Sequence, residues 1–259
     1  MTAVYSRAGD SFVPTELARG PWDPRAQHGG APAALLARAV EAEAGELGVA
    51  RLTYEFLRPV PLEPLAVSTR LVRPGRRAQL IEATLEGAAG PVCRVLGLAL
   101  ARTPGAAPEV PAAEGPLPPP DGIEKSPSPP GERPMFGGDG VELRFVRGAL
   151  TEPGPAAAWV RFLVPLLEGE EPSPVQRAAA AADFGNGVSA SLDWHTHVFI
   201  NADLTIHLVR PPRGEWVGLD SRTVVDPDGV GLAESVLHDA GGSIGSAVQS
   251  LLVGRREAA

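Results

Sequence analysis

The sequence predicts an α+β fold in which one structural unit occurs twice. Residues of the first half recur in the second half at a constant offset of 152 positions, as between Leu52 and Leu204. Such self-similarity is typical of duplicated structure. A proline-rich segment separates the two regions. In each region a helix-forming segment precedes strand-like segments, so that a helix can cover the apolar face of a sheet in both copies.

The first helix is predicted over residues 31–44. Leu35, Leu36 and Val40 form an apolar stripe at helical spacing, whereas Arg38 falls on the opposite side. Glycines precede and follow the segment, as is common at the ends of helices. Four strand-like segments follow, of which the first alternates apolar and polar residues. They are residues 52–56, 65–72, 78–85 and 92–100.

A proline-rich linker is predicted over residues 104–134. Proline removes backbone donors and restricts φ, so this segment can form neither a helix nor an inner strand. We expect it to be extended and to lie on the surface. The chain is therefore divided into an N-terminal unit of residues 1–103, the linker, and a C-terminal unit of residues 135–259.

The second unit repeats the order of elements. Strand-like segments at 141–147 and 157–163 come first, and a helix is predicted from Val175 to about Leu192 because its alanine-rich start has high helix propensity. The remaining strand-like segments are residues 199–209, 215–225, 231–238 and 244–253.

The repeat is carried by residue pairs that all differ by 152 positions. The pairs are Leu52-Thr53 with Leu204-Thr205, Arg58-Pro59 with Arg210-Pro211, Arg70 with Arg222, Glu82 with Glu234, Leu85 with Leu237, Gly90 with Gly242 and Leu100 with Leu252. Two strand regions of similar composition would also produce some of these matches. A gap-free offset over the whole strand region nevertheless favours duplication.

Composition excludes several functional classes. The net charge is −8 and no basic block occurs, so we expect no nucleic-acid binding. The single cysteine, Cys93, excludes an intramolecular disulfide and fits a reducing compartment. The first residues lack the apolar run of a signal peptide, and no run of about 18 apolar residues predicts a membrane span. We therefore expect a cytoplasmic protein without a membrane partner.

Six short segments, in their order and spacing, resemble the acyl-CoA thioesterases of the double hot-dog, type II (TesB-like) group. These are Trp22-Asp23-Pro24, His28-Gly29-Gly30, the segment Phe56 to Leu62, the turn Arg73 to Arg77, Ala182-Asp183-Phe184 and Val248-Gln249. The resemblance implies a tandem hot-dog with two long helices, each wrapped by a curved antiparallel sheet, and with the two sheets joined side by side. It also implies an acyl-CoA substrate, no cofactor and no metal.

The same resemblance implies hydrolysis of the acyl-CoA thioester to a carboxylic acid and CoA by an activated water. It assigns the water-holding carboxylate to Asp183, the glutamine to Gln249 and the middle position to Asn201, where type II enzymes carry threonine. An aspartate in an alanine-rich helix is costly to bury without partners, although an exposed or capping position would also explain it. Gln249 also fits an edge strand, and Asn201 a turn.

Substrate binding is predicted for His28, Gly29, Gly30 and Arg76. Backbone amides at a glycine-rich helix start can hold an anion or a developing oxyanion, although a structural turn would equally place glycines there. Arg76, with its neighbouring arginines, is a candidate for the CoA phosphates, but a solvated turn explains it as well.

Two other functions remain open from the sequence. A hot-dog protein could bind an acyl thioester without hydrolysing it, which the asparagine at position 201 keeps possible. A hot-dog enoyl-CoA hydratase has a histidine five residues after its aspartate, whereas Val188 occupies that position here. Association into a homo-oligomer through open sheet edges is a further possibility.

Overall fold

The structure, a computed structural model, describes residues 3–112 and 115–256. Its strands are β1 (Tyr5–Ala8), β2 (Ser11–Pro14), β3 (Gly48–Phe56), β4 (Ala66–Arg73), β5 (Ala78–Gly87), β6 (Gly90–Leu100), β7 (Val141–Arg147), β8 (Ala156–Phe162), β9 (His197–Asn201), β10 (Asp203–Leu208), β11 (Val217–Val225), β12 (Val230–Asp239) and β13 (Gly242–Arg255). Its helices are α1 (Gly30–Ala44), α2 (Pro174–Ala182) and α3 (Gly185–Val188), with short helical turns at Glu16–Ala18 and Phe136–Gly140.

One antiparallel sheet runs through both halves of the chain, in the order β4-β5-β6-β3-β10-β13-β12-β11-β8-β7. At its centre β3 pairs with β10, and Thr53 lies opposite Thr205. These two threonines are equivalent in the repeat, so the halves meet along equivalent strands, as across a two-fold axis. β9 continues alongside the end of β13, and β1 pairs with β2 in a separate hairpin.

The duplication seen in the sequence is present in the sheet. Adding 152 to the bounds of β5 gives residues 230–239, which are the bounds of β12. The same shift carries Gly90, the first residue of β6, onto Gly242, the first residue of β13. The strand orders β4-β5-β6-β3 and β11-β12-β13-β10 are therefore two copies of one arrangement.

The helices depart from the prediction of two long helices. α1 has the expected length, 15 residues, but the second helix, predicted from Val175 to Leu192, is wrong as one element. α2 ends at Ala182, and a turn at Asp183 and Phe184 separates it from the four-residue α3. Glycines at positions 185 and 187 weaken a continuous helix. Gly185 also packs so closely on β12 and β13 that a Cβ there would lie 2.6 Å from Ser235 Oγ.

Two differences concern the strands. The segment predicted as one strand over 199–209 is divided at Ala202 into β9 and β10. Ala202 bonds through its carbonyl to the Phe56 N–H and through its N–H to Ser250, so it remains within the sheet while the chain changes direction. The N-terminal hairpin of β1 and β2 was not predicted, because its strands are only four residues long.

The described residues of the predicted linker, 104–112 and 115–134, form neither helix nor strand. The two other linker residues, 113 and 114, lie outside the described residues, as do 1–2 and 257–259 of the predicted units. The linker lies against the second half, where the Trp159 indole donates to the Pro118 carbonyl at 2.7 Å. Arg144 donates to the Pro120 carbonyl at 3.1 Å.

The core lies between the helices and the sheet. Ten of the 15 residues of α1 are buried, and α1 packs on the first-half strands and on α2. Glu41 on α1 accepts a hydrogen bond of 2.6 Å from Ser173, the N-cap of α2. Among the described residues, no helix is both long and apolar enough to cross a membrane.

Candidate active site

A cavity of about 470 Å³ lies where the two halves of the chain meet. One wall comes from the first half, including the segment before α1 and the loop after β3, and the other from the helix break and β9. The lining includes His28, Gly29, Arg58, Asp183, Asn186, Trp194, Ile200 and Asn201. Its volume is in the range of small-molecule binding sites.

Asp183 places a carboxylate on the cavity wall although its side chain is only 3% exposed. It is the C-cap of α2, at the break between α2 and α3. A buried carboxylate needs hydrogen-bond partners. Asn201 and His28 are the side chains placed to provide them.

Asn201 is the last residue of β9, and its Nδ2 donates to Asp183 Oδ1 at 2.9 Å. The same nitrogen donates to the Asp203 backbone carbonyl at 3.2 Å, which holds the amide in place. The division between β9 and β10 therefore has a local consequence. Because β9 ends at Asn201, the side-chain amide of this residue contacts the Asp183 carboxylate.

His28 approaches Asp183 from the first half. Its Nδ1 lies 3.0 Å from Asp183 Oδ2 and also 3.0 Å from the Gly30 backbone nitrogen. Nδ1 cannot accept from the Gly30 N–H and donate to the carboxylate at once. When Nδ1 carries a proton it donates to Asp183 Oδ2, and when it does not it accepts from the Gly30 N–H instead. The ring stacks on Phe184 with centroids 4.2 Å apart.

The two glycines of the His28-Gly29-Gly30 segment leave no room for a side chain. A Cβ on Gly29 would lie 2.8 Å from both carboxylate oxygens of Asp183. A Cβ on Gly30 would lie 2.7 Å from the Ala180 carbonyl oxygen, where α1 crosses α2. The predicted pair of glycines is thus required for close approach of α1 to the carboxylate, and Gly29 lines the cavity.

Gln249 lies behind Asp183 and does not line the cavity. Its side chain is 1% exposed, its Oε1 accepts from the Asn186 N–H at 3.0 Å, and its Nε2 donates to the Asp183 carbonyl at 3.3 Å. The amide therefore spans the break between α2 and α3. In the first half the equivalent residue is Gly97, which packs against Val40 of α1 with no space for a side chain.

Comparison with protein families decides the identity of the chain. The model described as the acyl-CoA thioesterase C-terminal domain matches residues 117–253, and the corresponding N-terminal domain matches residues 18–100. The chain belongs to the acyl-CoA thioesterase family. Its activity is the hydrolysis of acyl-CoA thioesters, and the resemblance stated from the sequence is confirmed. No match was found among curated protein sequences.

Solved structures show that the thioesterase has the hot-dog fold. A protein from Alicyclobacillus acidocaldarius described with a hot dog fold has a TM-score of 0.73 at 17% identity, covering 98% of this chain and 96% of that one. A Thermobifida fusca YX protein assigned as a thioesterase II has a TM-score of 0.75 at 22% identity, covering 97% and 95%. The acyl-CoA thioesterase II TesB2 of Mycobacterium marinum has a TM-score of 0.63 at 18% identity, covering 88% and 90%.

An aromatic cluster lies at the thioesterase's cavity, and its members Trp22 and Trp194 line the cavity. The sequence named Trp22 only within a family-like segment and did not single out Trp194 or Phe199. The rings of Trp22 and Trp194 stack with centroids 4.9 Å apart, and Phe199 meets both edge to face. Trp22 lies before α1 and Trp194 before β9, so the cluster joins the two halves. No spacing in the sequence indicates this contact, because it is made only in the tertiary structure.

Arg76 lies away from this cavity. It is exposed in the turn between β4 and β5, at one end of the sheet, and it is not among the cavity-lining residues. The role of Arg76 at the CoA phosphates stays a prediction. The arginine that lines the cavity is Arg58, which the sequence named in the repeat and in the family-like segment from Phe56 to Leu62 but not as a binding residue.

Cys93 of the thioesterase is fully buried in β6. Burial raises the pKa of its thiol, and the charges of Asp183 and Glu55 raise it further. A thiol held protonated in this way is a poor nucleophile.

Proposed function

We propose that the thioesterase hydrolyses its substrate with a water activated by Asp183 in the cavity between the two halves. The observation that carries the proposal is the buried carboxylate with a donor from each half, His28 at 3.0 Å and Asn201 at 2.9 Å. These two contacts use one lone pair on each oxygen, so the carboxylate keeps acceptor capacity for a water.

In the attacking step, the water oxygen forms a bond to the thioester carbonyl carbon while Asp183 accepts its proton. The tetrahedral intermediate then collapses with cleavage of the carbon–sulfur bond. The proton passes from Asp183 to the departing sulfur, which yields the carboxylic acid and CoA. The carboxylate is regenerated, and no covalent enzyme intermediate forms.

The start of α1 is placed to stabilise the oxyanion of this intermediate. Gly29 lines the cavity as the N-cap residue of the 15-residue helix, and its backbone packs against the carboxylate of Asp183. The Gly30 N–H faces His28 Nδ1, and the Ala31 N–H donates to the His28 carbonyl. The stabilisation is therefore assigned to the Gly29 N–H and to the helix dipole, which favours negative charge there. Oxyanion stabilisation by such groups contributes strongly to acyl-transfer catalysis.

Gln249 acts in this mechanism as a positioning residue. It holds the Asp183 carbonyl and the Asn186 N–H on the two sides of the helix break. Its amide does not face the cavity, so it supports the orientation of Asp183 and does not itself touch the water. Asn201, in contrast, lines the cavity and contacts the carboxylate directly.

The acyl chain lies in the apolar part of the cavity. The residues that line this part are Trp22 from the first half and Leu143, Leu150, Trp194, Ile200 and Leu252 from the second half. Burial of an acyl chain there contributes about 0.8 kcal/mol for each methylene removed from water. That gain favours substrates whose chain fills the cavity.

The test is thiol release from acyl-CoA substrates of increasing chain length. We expect Asp183→Asn to lower kcat by about 10²- to 10⁴-fold, as for loss of a general base, while the melting temperature changes little because the amide can still bond to its neighbours. Asp228→Asn, in an exposed turn, is the matched control and should keep full activity. Full activity in Asp183→Asn would refute the assignment, and acyl-CoA binding without thiol release by the native protein would favour a binding protein.

A further inference from the structure

The two Arg-Pro pairs of the repeat have different surroundings in the folded chain. Arg58-Pro59 follows β3 and Arg210-Pro211 follows β10, and a shift of 152 carries one pair onto the other. The strands that precede them end at equivalent residues, Phe56 and Leu208. The two arginines therefore occupy equivalent backbone positions in the two copies of the fold.

In the second half, the arginine is bound by a carboxylate. Arg210 makes two hydrogen bonds to Asp239, one of them at 2.7 Å between Nη2 and Oδ1. Asp239 is fully buried and also accepts from the Arg213 and Gly241 N–H groups, each at 2.8 Å. The charge of Arg210 is thus neutralised within the fold, and its role is structural.

In the first half, the corresponding carboxylate is missing. The residue equivalent to Asp239 is Gly87, which closes the β5–β6 hairpin opposite Gly90 as Asp239 closes the β12–β13 hairpin opposite Gly242. Among the described residues, no carboxylate forms an ion pair with Arg58. Its Nη1 donates to the Ala89 carbonyl at 2.7 Å, a neutral partner that leaves the charge uncompensated.

Arg58 also lies where the cavity opens to solvent. It is exposed, it lines the cavity, and its neighbours Leu57 and Pro59 line it as well. The carboxylate of Asp183 is on the inner wall of the same cavity. Arg58 is thus an exposed cation on the same cavity that holds the Asp183 carboxylate, available to the part of a substrate that extends toward solvent.

We propose that Arg58 binds a phosphate group of the CoA portion of the substrate. The inference rests on the proposed function, since it takes the acyl thioester to lie at Asp183. A guanidinium presents paired N–H donors that match phosphate oxygens, and such charge-assisted hydrogen bonds are stronger than neutral ones. Because the first copy has glycine where the second has aspartate, Arg58 is available to a ligand, whereas Arg210 is a fold contact.

The first experiment compares two thioesters of the same acyl group. Acyl-CoA carries the phosphates, whereas the N-acetylcysteamine thioester has only the end of the thiol arm. For Arg58→Ala we expect KM for acyl-CoA to rise by about tenfold, with kcat unchanged and with no change in KM for the truncated thioester. Arg70→Ala, an exposed arginine paired with Glu82 on β4 and β5, is the matched control and should change neither value.

The second experiment restores the missing carboxylate. Gly87→Asp places a carboxyl where the second half has one, and a Cβ at this position meets no atom closer than 3.6 Å. We expect the new aspartate to capture Arg58 and to raise KM for acyl-CoA as Arg58→Ala does, with an unchanged or higher melting temperature. In the double variant with Arg58→Ala, Gly87→Asp should have no further effect on KM.

Calorimetric binding of free CoA gives a readout that does not depend on turnover. Arg58→Ala should weaken CoA binding by about tenfold while Arg70→Ala does not. Equal binding of CoA by Arg58→Ala and the native protein, or an equal rise in KM for both thioesters, would overturn the proposal. If the native protein released no thiol from acyl-CoA but its binding of CoA still depended on Arg58, the proposed function alone would be overturned.

Discussion

His28 and Asp183 come from different halves of the chain, and Nδ1 of the first lies 3.0 Å from Oδ2 of the second. His28 is fixed by the turn before α1, and Asp183 by the break after α2. The contacts of this carboxylate are therefore complete only when the two halves pack together. A hot-dog unit from either half would lack one part of the site.

The first prediction concerns the histidine. We expect His28→Ala to lower kcat by about tenfold or more, because Asp183 loses one of its two side-chain donors. His28→Asn should retain much of the activity, since its amide nitrogen can take the place of Nδ1. Steady-state kinetics with one acyl-CoA substrate measure both variants.

His195 is the matched control for this prediction. It is exposed before β9 and does not line the cavity of the active site. His195→Ala should therefore leave kcat unchanged. Equal kcat values for His28→Ala and the native enzyme would show that the contact with Asp183 has no catalytic role.

The second prediction concerns chain length. A second cavity of about 400 Å³ lies beside the first, and both are lined by Trp194 and Leu150. We expect removal of either side chain to join the two volumes. We expect Trp194→Ala and Leu150→Ala to shift the optimum of kcat/KM toward longer acyl chains, measured with a panel of acyl-CoA substrates.

Trp216 provides the control for loss of a tryptophan. It lies under Arg144 and Arg161, with cation-to-ring distances of 5.0 and 4.6 Å, and it lines neither cavity. Trp216→Ala should leave the chain-length preference as it is. An unchanged optimum in both Trp194→Ala and Leu150→Ala would exclude a partition between the cavities.

The third prediction concerns stability in acid. Burial opposes ionisation of Asp239, but hydrogen bonds from Arg210 and from two backbone N–H groups lower its pKa to about 2 from an ordinary 3.8. A lowered pKa contributes stability above the ordinary value and loses it as the pH falls toward the folded value. We expect the free energy of unfolding to fall between about pH 4 and pH 2 through this group.

Asp239→Asn tests the contribution of this pair. At neutral pH the variant should be less stable by about 2 kcal/mol, because Arg210 loses its charged partner. Its free energy of unfolding should depend less on pH below 4 than that of the native protein. Denaturant titrations at neutral and acidic pH measure both effects, and identical acid dependence of the two proteins would contradict the prediction.

The fourth prediction concerns Cys93. Because burial and nearby carboxylates raise the pKa of its thiol, the native protein should not react with a disulfide reagent at neutral pH. In denaturant, one thiol for each chain should react, since the sequence has a single cysteine. Rapid reaction of the native protein would show that the β6 region opens readily, and it would also require a correction in thiol-release assays.

Much of the fold could be predicted from local patterns. The helix α1 and the strands β7 and β11 to β13 lie within a few residues of their predicted bounds, because alternation and helical spacing report which face a residue turns to the core. The constant offset of the repeat was informative for the same reason, because duplicated strands carry the same apolar pattern in each copy. The continuous second helix was wrong because the break after Asp183 depends on the packing of Gly185 against β12 and β13, which no local pattern records.

For the candidate site, the sequence, through its resemblance to the family, predicted the types of side chain and their approximate elements. Asp183 and Asn201 were named as candidates from the sequence, and both lie on the cavity wall in mutual contact. The contact of His28 with the carboxylate, the placement of Gln249 behind it and the aromatic wall of Trp22 and Trp194 were decided only by the tertiary structure. Hydrogen bonds and ring contacts depend on distances of a few ångström between segments far apart in the chain. The pairing of β3 with β10 joins the two halves of the chain, with Thr53 opposite Thr205, and so brings the two sides of the candidate site together.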